Sequence, residues 1–181
     1  MKILGISGTL IGRKTLTVIE QVINEIKSFS PEADVDILDL RKFNIQFCDG
    51  RTTSEYTGDT KEVIERISLA DGYIIGTPIF QGSFTGALKN LLDLVPPSVF
   101  QHKVMGFVAT GGNPQHYLVV ENQLKPIAGY FKAIITPHFI FANSSQFNKQ
   151  NEIVDSELNA EIKEFSQQVI FMMSKLSMES K

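Results

Sequence analysis

ADGYIIGTPIFQGSFTGALKNLLDLV, residues 70–95, is the stretch on which the fold turns. Tyr73-Ile74-Ile75 is a run of strand-preferring apolar residues and predicts a buried strand. Gly76-Thr77-Pro78 ends it, because proline cannot donate to a sheet ladder. From Phe84 the period changes. Phe84, Leu88, Leu91, Leu92 and Val95 fall on one stripe of a helix, which assigns Lys89, Asn90 and Asp93 to the opposite side. The intervening loop, Ile79-Phe80-Gln81-Gly82-Ser83, joins the carboxyl end of a strand to the amino end of a helix. Free backbone N–H groups gather at such a junction, and open α/β sheets place ligands there. Ser83 or Thr85 is the expected N-cap.

The same alternation extends in both directions. Upstream, residues 2–7 (KILGIS) read as a strand suited to the middle of a parallel sheet. Val18, Ile19, Val22, Ile23 and Ile26 mark the helix that follows, ending near residues 28–31. Residues 34–40 alternate polar and apolar, as a strand near an edge does. Residues 41–60 have no period and are expected to form a long loop over the ligand edge, before a short helix at 60–69. Downstream, residues 103–110 (KVMGFVAT) predict a fourth strand. Residues 115–130 read as a helix that Pro126 must kink or divide, and residues 133–141 as a fifth strand. A polar loop at 143–151 precedes a closing helix at 156–176. Five alternations of strand and helix are the pattern of a doubly wound parallel sheet, here in the order 2-1-3-4-5. Its crevice opens between the first and third strands.

The chain has 181 residues, enough for one domain with a core that needs no disulfide or metal. Its net charge of −3 and lack of a basic run argue against nucleic-acid binding. The lone cysteine, Cys48, cannot form an internal disulfide, and no His/Cys/Asp/Glu spacing suggests a metal. No stretch approaches a membrane span or a signal peptide, so a cytoplasmic protein is expected. Tyr117-Leu118-Val119-Val120 is apolar nearly all round, which suggests burial against a second copy in a homodimer or homotetramer.

Two more loops would reach the crevice. Ser7-Gly8-Thr9-Leu10-Ile11-Gly12-Arg13-Lys14-Thr15 has the parts of a phosphate cradle. Glycines admit the anion, Ser7, Thr9 and Thr15 supply hydroxyls, the helix terminus supplies amides, and Arg13 or Lys14 a charge. Only three residues separate Gly8 from Gly12 and Arg13 precedes Lys14-Thr15, so the P-loop spacing is not met. Thr110-Gly111-Gly112 ends the fourth strand, where paired glycines let a flat ring approach the backbone. Asp93 and Glu121 read as helix-surface groups, solvated or ion-paired, and His116 as a structural residue or ligand contact.

The wording of these loops carries a family resemblance. Thr77–Asp93 (TPIFQGSFTGALKNLLD) closely resembles the signature loop of the NAD(P)H-dependent FMN reductases, flavodoxin-like proteins in which this loop lies along the flavin ring. Phe80 stands where the family usually has Tyr. Residues 7–15 resemble the family's FMN phosphate loop, with Ile11 where many members carry Arg. Residues 109–126 (ATGGNPQHYLVVENQLKP) resemble the branch that supplies reduced flavin to sulfonate monooxygenases. Several members of that branch have Tyr or His in a widened helix four residues before the proline; here the position is Asn122. The resemblance implies FMN across the crevice, its phosphate on residues 9–15 and its ring between Pro78–Ser83 and Thr110–Gly112. It further implies NADPH or NADH as reductant, a flavin-accepting monooxygenase as partner, and no obligatory acid–base side chain. A quinone, azo-dye or metal-ion reductase retaining FMN, a flavodoxin-type electron carrier and a flavin-free binding module are the alternative readings.

Overall fold

A computed structural model describes residues 1–179. Strands β1 (Lys2–Ser7), β2 (Asp34–Asp39), β3 (Gly72–Pro78), β4 (Val104–Gly111), β5 (Ile134–Ile135) and β6 (Ile140–Asn143) form one sheet. All pairings are parallel, in the order β2-β1-β3-β4-β5, with β6 also against β4. Helices α1 (Lys14–Phe29), α2 (Gly58–Ser68), α3 (Gly86–Leu94), α4 (Lys125–Tyr130) and α5 (Ser156–Glu179) cover both faces.

Alternation along each strand divides the core into two layers. Leu4, Ile6, Tyr73, Ile75, Met105 and Phe107 point to the face covered by α2, α3 and α4. Ile3, Ile74, Val104 and Val108 point to the face covered by α1 and α5. Because both faces are buried, the inner strands are apolar throughout, as expected of a parallel sheet. On the α1/α5 face the helices come very close. A Cβ on Gly106 would lie 2.5 Å from Cζ of Phe165, so that strand position admits only glycine without repacking.

The structure departs from the sequence reading at three places. The fifth strand is broken: Met105 pairs with Ile135, but Val108 pairs with Ile140, so the register slips by two residues. Pro137 sits in the gap, where it cannot donate to the ladder. The helix expected at 115–130 is instead a 3₁₀ turn (Pro114–Tyr117), a π-helical turn (Val120–Leu124) and α4. The π-helical turn runs directly into α4, with the Lys125 N–H bonded to the Val120 carbonyl, so the widened turn lies just before Pro126 and marks the division expected there. Asn90, expected on the outer side of α3, is buried. Its amide accepts from the Cys48 N–H at 2.8 Å and donates to the Gln46 carbonyl at 3.0 Å, which pins the long 41–57 loop to α3.

Candidate active site

The in-register ends of β1 and β3 bring two of the predicted loops together, with Ser7 beside Gly76. Gly8 N–H donates to the Gly76 carbonyl at 2.7 Å. A Cβ at Gly8 would lie 2.8 Å from that carbonyl oxygen and 3.0 Å from Cβ of Leu88, so this crossing depends on glycine. Thr85 is the N-cap of α3 and accepts from the Leu88 N–H at 3.1 Å. Its hydroxyl also donates to the Gly8 carbonyl. One buried side chain thus ties the first loop to the helix that follows the third strand.

Between these loops and the end of β4 lies a cleft of about 330 Å³. Of the residues expected there, Arg13, Lys14, Thr15, Pro78, Ile79, Phe80, Thr110, Gly111 and Gly112 line it. Ser7, Thr9, Gln81, Gly82 and Ser83 do not. Ile11 and Gly12 complete the first loop, while Ser144 and Asn151 were not singled out by the sequence. They arrive because β6 pairs alongside β4 and delivers the loop after it to the same rim.

The first loop presents backbone more than side chains. Thr9 Oγ1 donates to the Ile11 carbonyl at 2.6 Å and accepts from the Ile11 N–H at 3.2 Å, so this hydroxyl is engaged within its own turn. Arg13 pairs with Glu20 at 2.7 Å. Lys14 reaches the Ser144 carbonyl at 3.3 Å and lies over the Phe147 ring. Thr15 and Thr110 share a buried hydroxyl–hydroxyl bond of 2.7 Å. The first turn of α1 has neither a side-chain cap nor an acidic residue. Its free amides and the positive end of the helix dipole therefore favour an anion. Ser7 Oγ, at the end of β1, is buried and has no hydrogen-bond partner among the described residues. Such a hydroxyl costs about 1–3 kcal/mol, which marks the spot as one that wants a polar partner.

The opposite wall, Pro78–Phe80, leads into a hairpin. Phe80 and Ser83 exchange backbone bonds at 2.9 and 3.0 Å, with Gln81 and Gly82 at the tip at φ of 49° and 75°. Positive φ at both central residues is the pattern of a type I′ hairpin turn, and Gln81 adopts it as a non-glycine. The hairpin is latched from the side by the π-helical turn: Ser83 Oγ donates to Gln123 Oε1 at 2.6 Å, and Gln123 Nε2 donates to the Gly82 carbonyl at 3.4 Å. Phe80 is 44% exposed, an unusual state for a ring placed on a cleft wall. At the third wall, His116 packs under Gly111, where an added Cβ would lie 2.6 Å from its Nδ1. Asp93 and Glu121 form surface ion pairs with Lys89 and Lys125.

Behind the first loop stand Asp39 and Arg41. Burial raises the pKa of the Asp39 carboxyl, but hydrogen bonds and charge from Arg41 outweigh this and hold it below the ordinary range. The same pairing raises that of Arg41.

Among the described residues, no carboxylate, imidazole or thiol lines the cleft. It offers an anion site at one end and apolar walls with a glycine pair along its length, a fit for a flat heterocycle that carries a phosphate. These features and the strand order define a flavodoxin-like α/β protein. The NADPH-dependent FMN reductase family model matches residues 1–148, and the chain belongs to that family. It is 55% identical over 172 residues to an NAD(P)H-dependent FAD/FMN reductase of Geobacillus thermodenitrificans, covering 95% of this chain and 93% of the relative. Among solved structures, an oxidoreductase from Corynebacterium diphtheriae superposes with a TM-score of 0.79 at 22% identity, over 97% of this chain and 98% of the other. The apo form of the NADH:FMN oxidoreductase EmoB superposes with a TM-score of 0.75 at 24% identity, over 92% and 88%. At such identities these two likenesses speak to the fold alone.

Proposed function

We propose that this protein is an NAD(P)H-dependent FMN reductase, with FMN held in the cleft at the carboxyl ends of β1, β3 and β4. The observation that carries the reading is the pairing, in one cleft, of an uncapped helix terminus with an acid-free, glycine-floored slot. FMN, when bound, supplies the acceptor for a hydride delivered by the reduced nicotinamide. The amides of residues 12–15, on the cleft rim at the start of α1, would hold its phosphate. Pro78, Ile79 and Phe80 would cover the ring, and the N–H groups of Gly111 and Gly112 would be available to its polar atoms. With no carboxylate, imidazole or thiol among the described lining residues, and Lys14 engaged with the Ser144 carbonyl, the protein contributes position and fixed dipoles. The half-exposed Phe80 is suited to stacking against the second substrate.

The reading includes a self-associated enzyme, a homodimer or homotetramer. Tyr117, Leu118 and Tyr130 are exposed along the segment that follows β4, and their apolar surface supports such contact. It also includes a cytoplasmic setting and a flavin-accepting monooxygenase as partner. Among the described residues no helix is long and apolar enough to cross a membrane. The test is anaerobic: FMN mixed with the protein and NADPH or NADH should lose its visible colour at a rate proportional to enzyme. Colour that persists with both nucleotides refutes the proposal.

A further inference from the structure

Arg41 lies outside the cleft, yet it is bonded to the loop that forms the anion end. Its Nε and Nη2 fork onto the Asp39 carboxylate, with bonds of 2.9 and 3.2 Å from Nε and 2.7 Å from Nη2. Its own N–H adds a bond of 3.2 Å to Asp39 Oδ1. Asp39 is only 4% exposed, so its charge needs this partner and the guanidinium is held in place by it. The remaining arm, Nη1, donates to the carbonyl of Gly12 at 2.7 Å.

That bond acts on direction. The Gly12 carbonyl and the Arg13 N–H belong to one planar trans peptide and point opposite ways. Gripping the carbonyl therefore fixes where the Arg13 amide points. Gly12 has φ of 77°, a left-handed residue of the kind that turns successive amides to one side in anion-binding nests. A glycine has no side chain to hold it there, and Arg13 and Lys14 are engaged with Glu20 and Ser144. Arg41 supplies the hold from the end of β2.

We infer that Arg41, clamped by Asp39, is a positioning residue for the anion end of the cleft, setting the cradle amides through its bond to the Gly12 carbonyl. The inference rests on the FMN reading above and deepens it: Arg41 favours ligands with a phosphate over the same ring without one. The choice of an arginine follows from the need to hold a carboxylate and a carbonyl at once, which a lysine's single nitrogen does less well.

The test compares dissociation constants for FMN and riboflavin, read by flavin fluorescence quenching. Wild type comes first; a wild type that binds neither flavin overturns the FMN reading as well as this inference. With wild-type binding in hand, Arg41→Ala should weaken FMN about ten-fold, the order of one charge-assisted hydrogen bond, and leave riboflavin within about two-fold. Arg41→Lys should fall between. Because Arg41→Ala strands the buried Asp39 charge and threatens folding, the double variant Asp39→Asn/Arg41→Ala provides the same comparison without that charge. It too should lose FMN selectively. Parallel weakening of both flavins, or FMN binding unchanged within about two-fold in the double variant, overturns the inference.

Discussion

Replacing Thr85 by Val removes one hydroxyl and leaves shape nearly unchanged, which isolates the tie between the first loop and α3. Thr85 is 5% exposed, and its Oγ1 both caps the Leu88 N–H and donates to the Gly8 carbonyl. Loss of an N-cap costs about 1 kcal/mol. A carbonyl left without its partner in a buried setting adds about 1–3 kcal/mol. Together these give a destabilisation of about 2–4 kcal/mol, or roughly 4–16 °C in melting temperature for a chain of this size. The assay is a thermal melt of flavin-free protein followed by circular dichroism, supported by a urea midpoint. Thr85→Ser retains the hydroxyl and should recover most of the loss. A Val variant that melts within about 2 °C of wild type, less than the smallest shift these costs allow, would show that the tie is not made in solution.

Two further outcomes follow from bonds around the cleft. Gln123→Ala removes both contacts from the π-helical turn to the hairpin, so amide exchange at Phe80 and Ser83, the two bonded amides of the hairpin, should quicken while α3 stays as protected as before; unchanged exchange at both argues against the latch. Asp39 has a folded pKa below its unfolded value, so its contribution to stability is present above pH about 4 and is lost as pH falls through the folded pKa. The stability gap between wild type and Asp39→Asn in urea melts should therefore be full near neutrality and shrink below pH about 4, whereas a gap that widens on acidification contradicts the pairing with Arg41.

Most of the frame was legible because its signals are local. The runs KILGIS and KVMGFVAT, the stripe from Leu88 to Leu92 and the Pro78 stop each follow from a short stretch of chain. The edge strand misled because residues 133–141 are apolar enough for a strand, and Pro137 breaks the ladder without breaking the apolar run. Asn90 misled for the opposite reason: its polarity suggests solvent, but a loop some 40 residues upstream covers it and takes both of its amide bonds. At the site, the glycines and the helix terminus were readable from composition and order. Which hydroxyls turn inward was not. Thr9 closes on its own turn and Thr15 on Thr110, choices set by tertiary geometry. Ser144, Asn151 and the Arg41 brace come from distant segments. The one clue to Ser144 was a polar loop following the last strand, at the carboxyl edge where ligands gather.

The most direct test asks whether flavin lies in this cleft. Gly112 lines the cleft and an added Cβ there meets no atom within 4 Å, so Gly112→Trp brings a bulky ring to the cleft wall without a clash at Cβ. This variant should melt like wild type but no longer quench FMN fluorescence or bleach FMN with NADPH under argon. A folded Gly112→Trp protein that binds and reduces FMN as wild type does would place the flavin elsewhere.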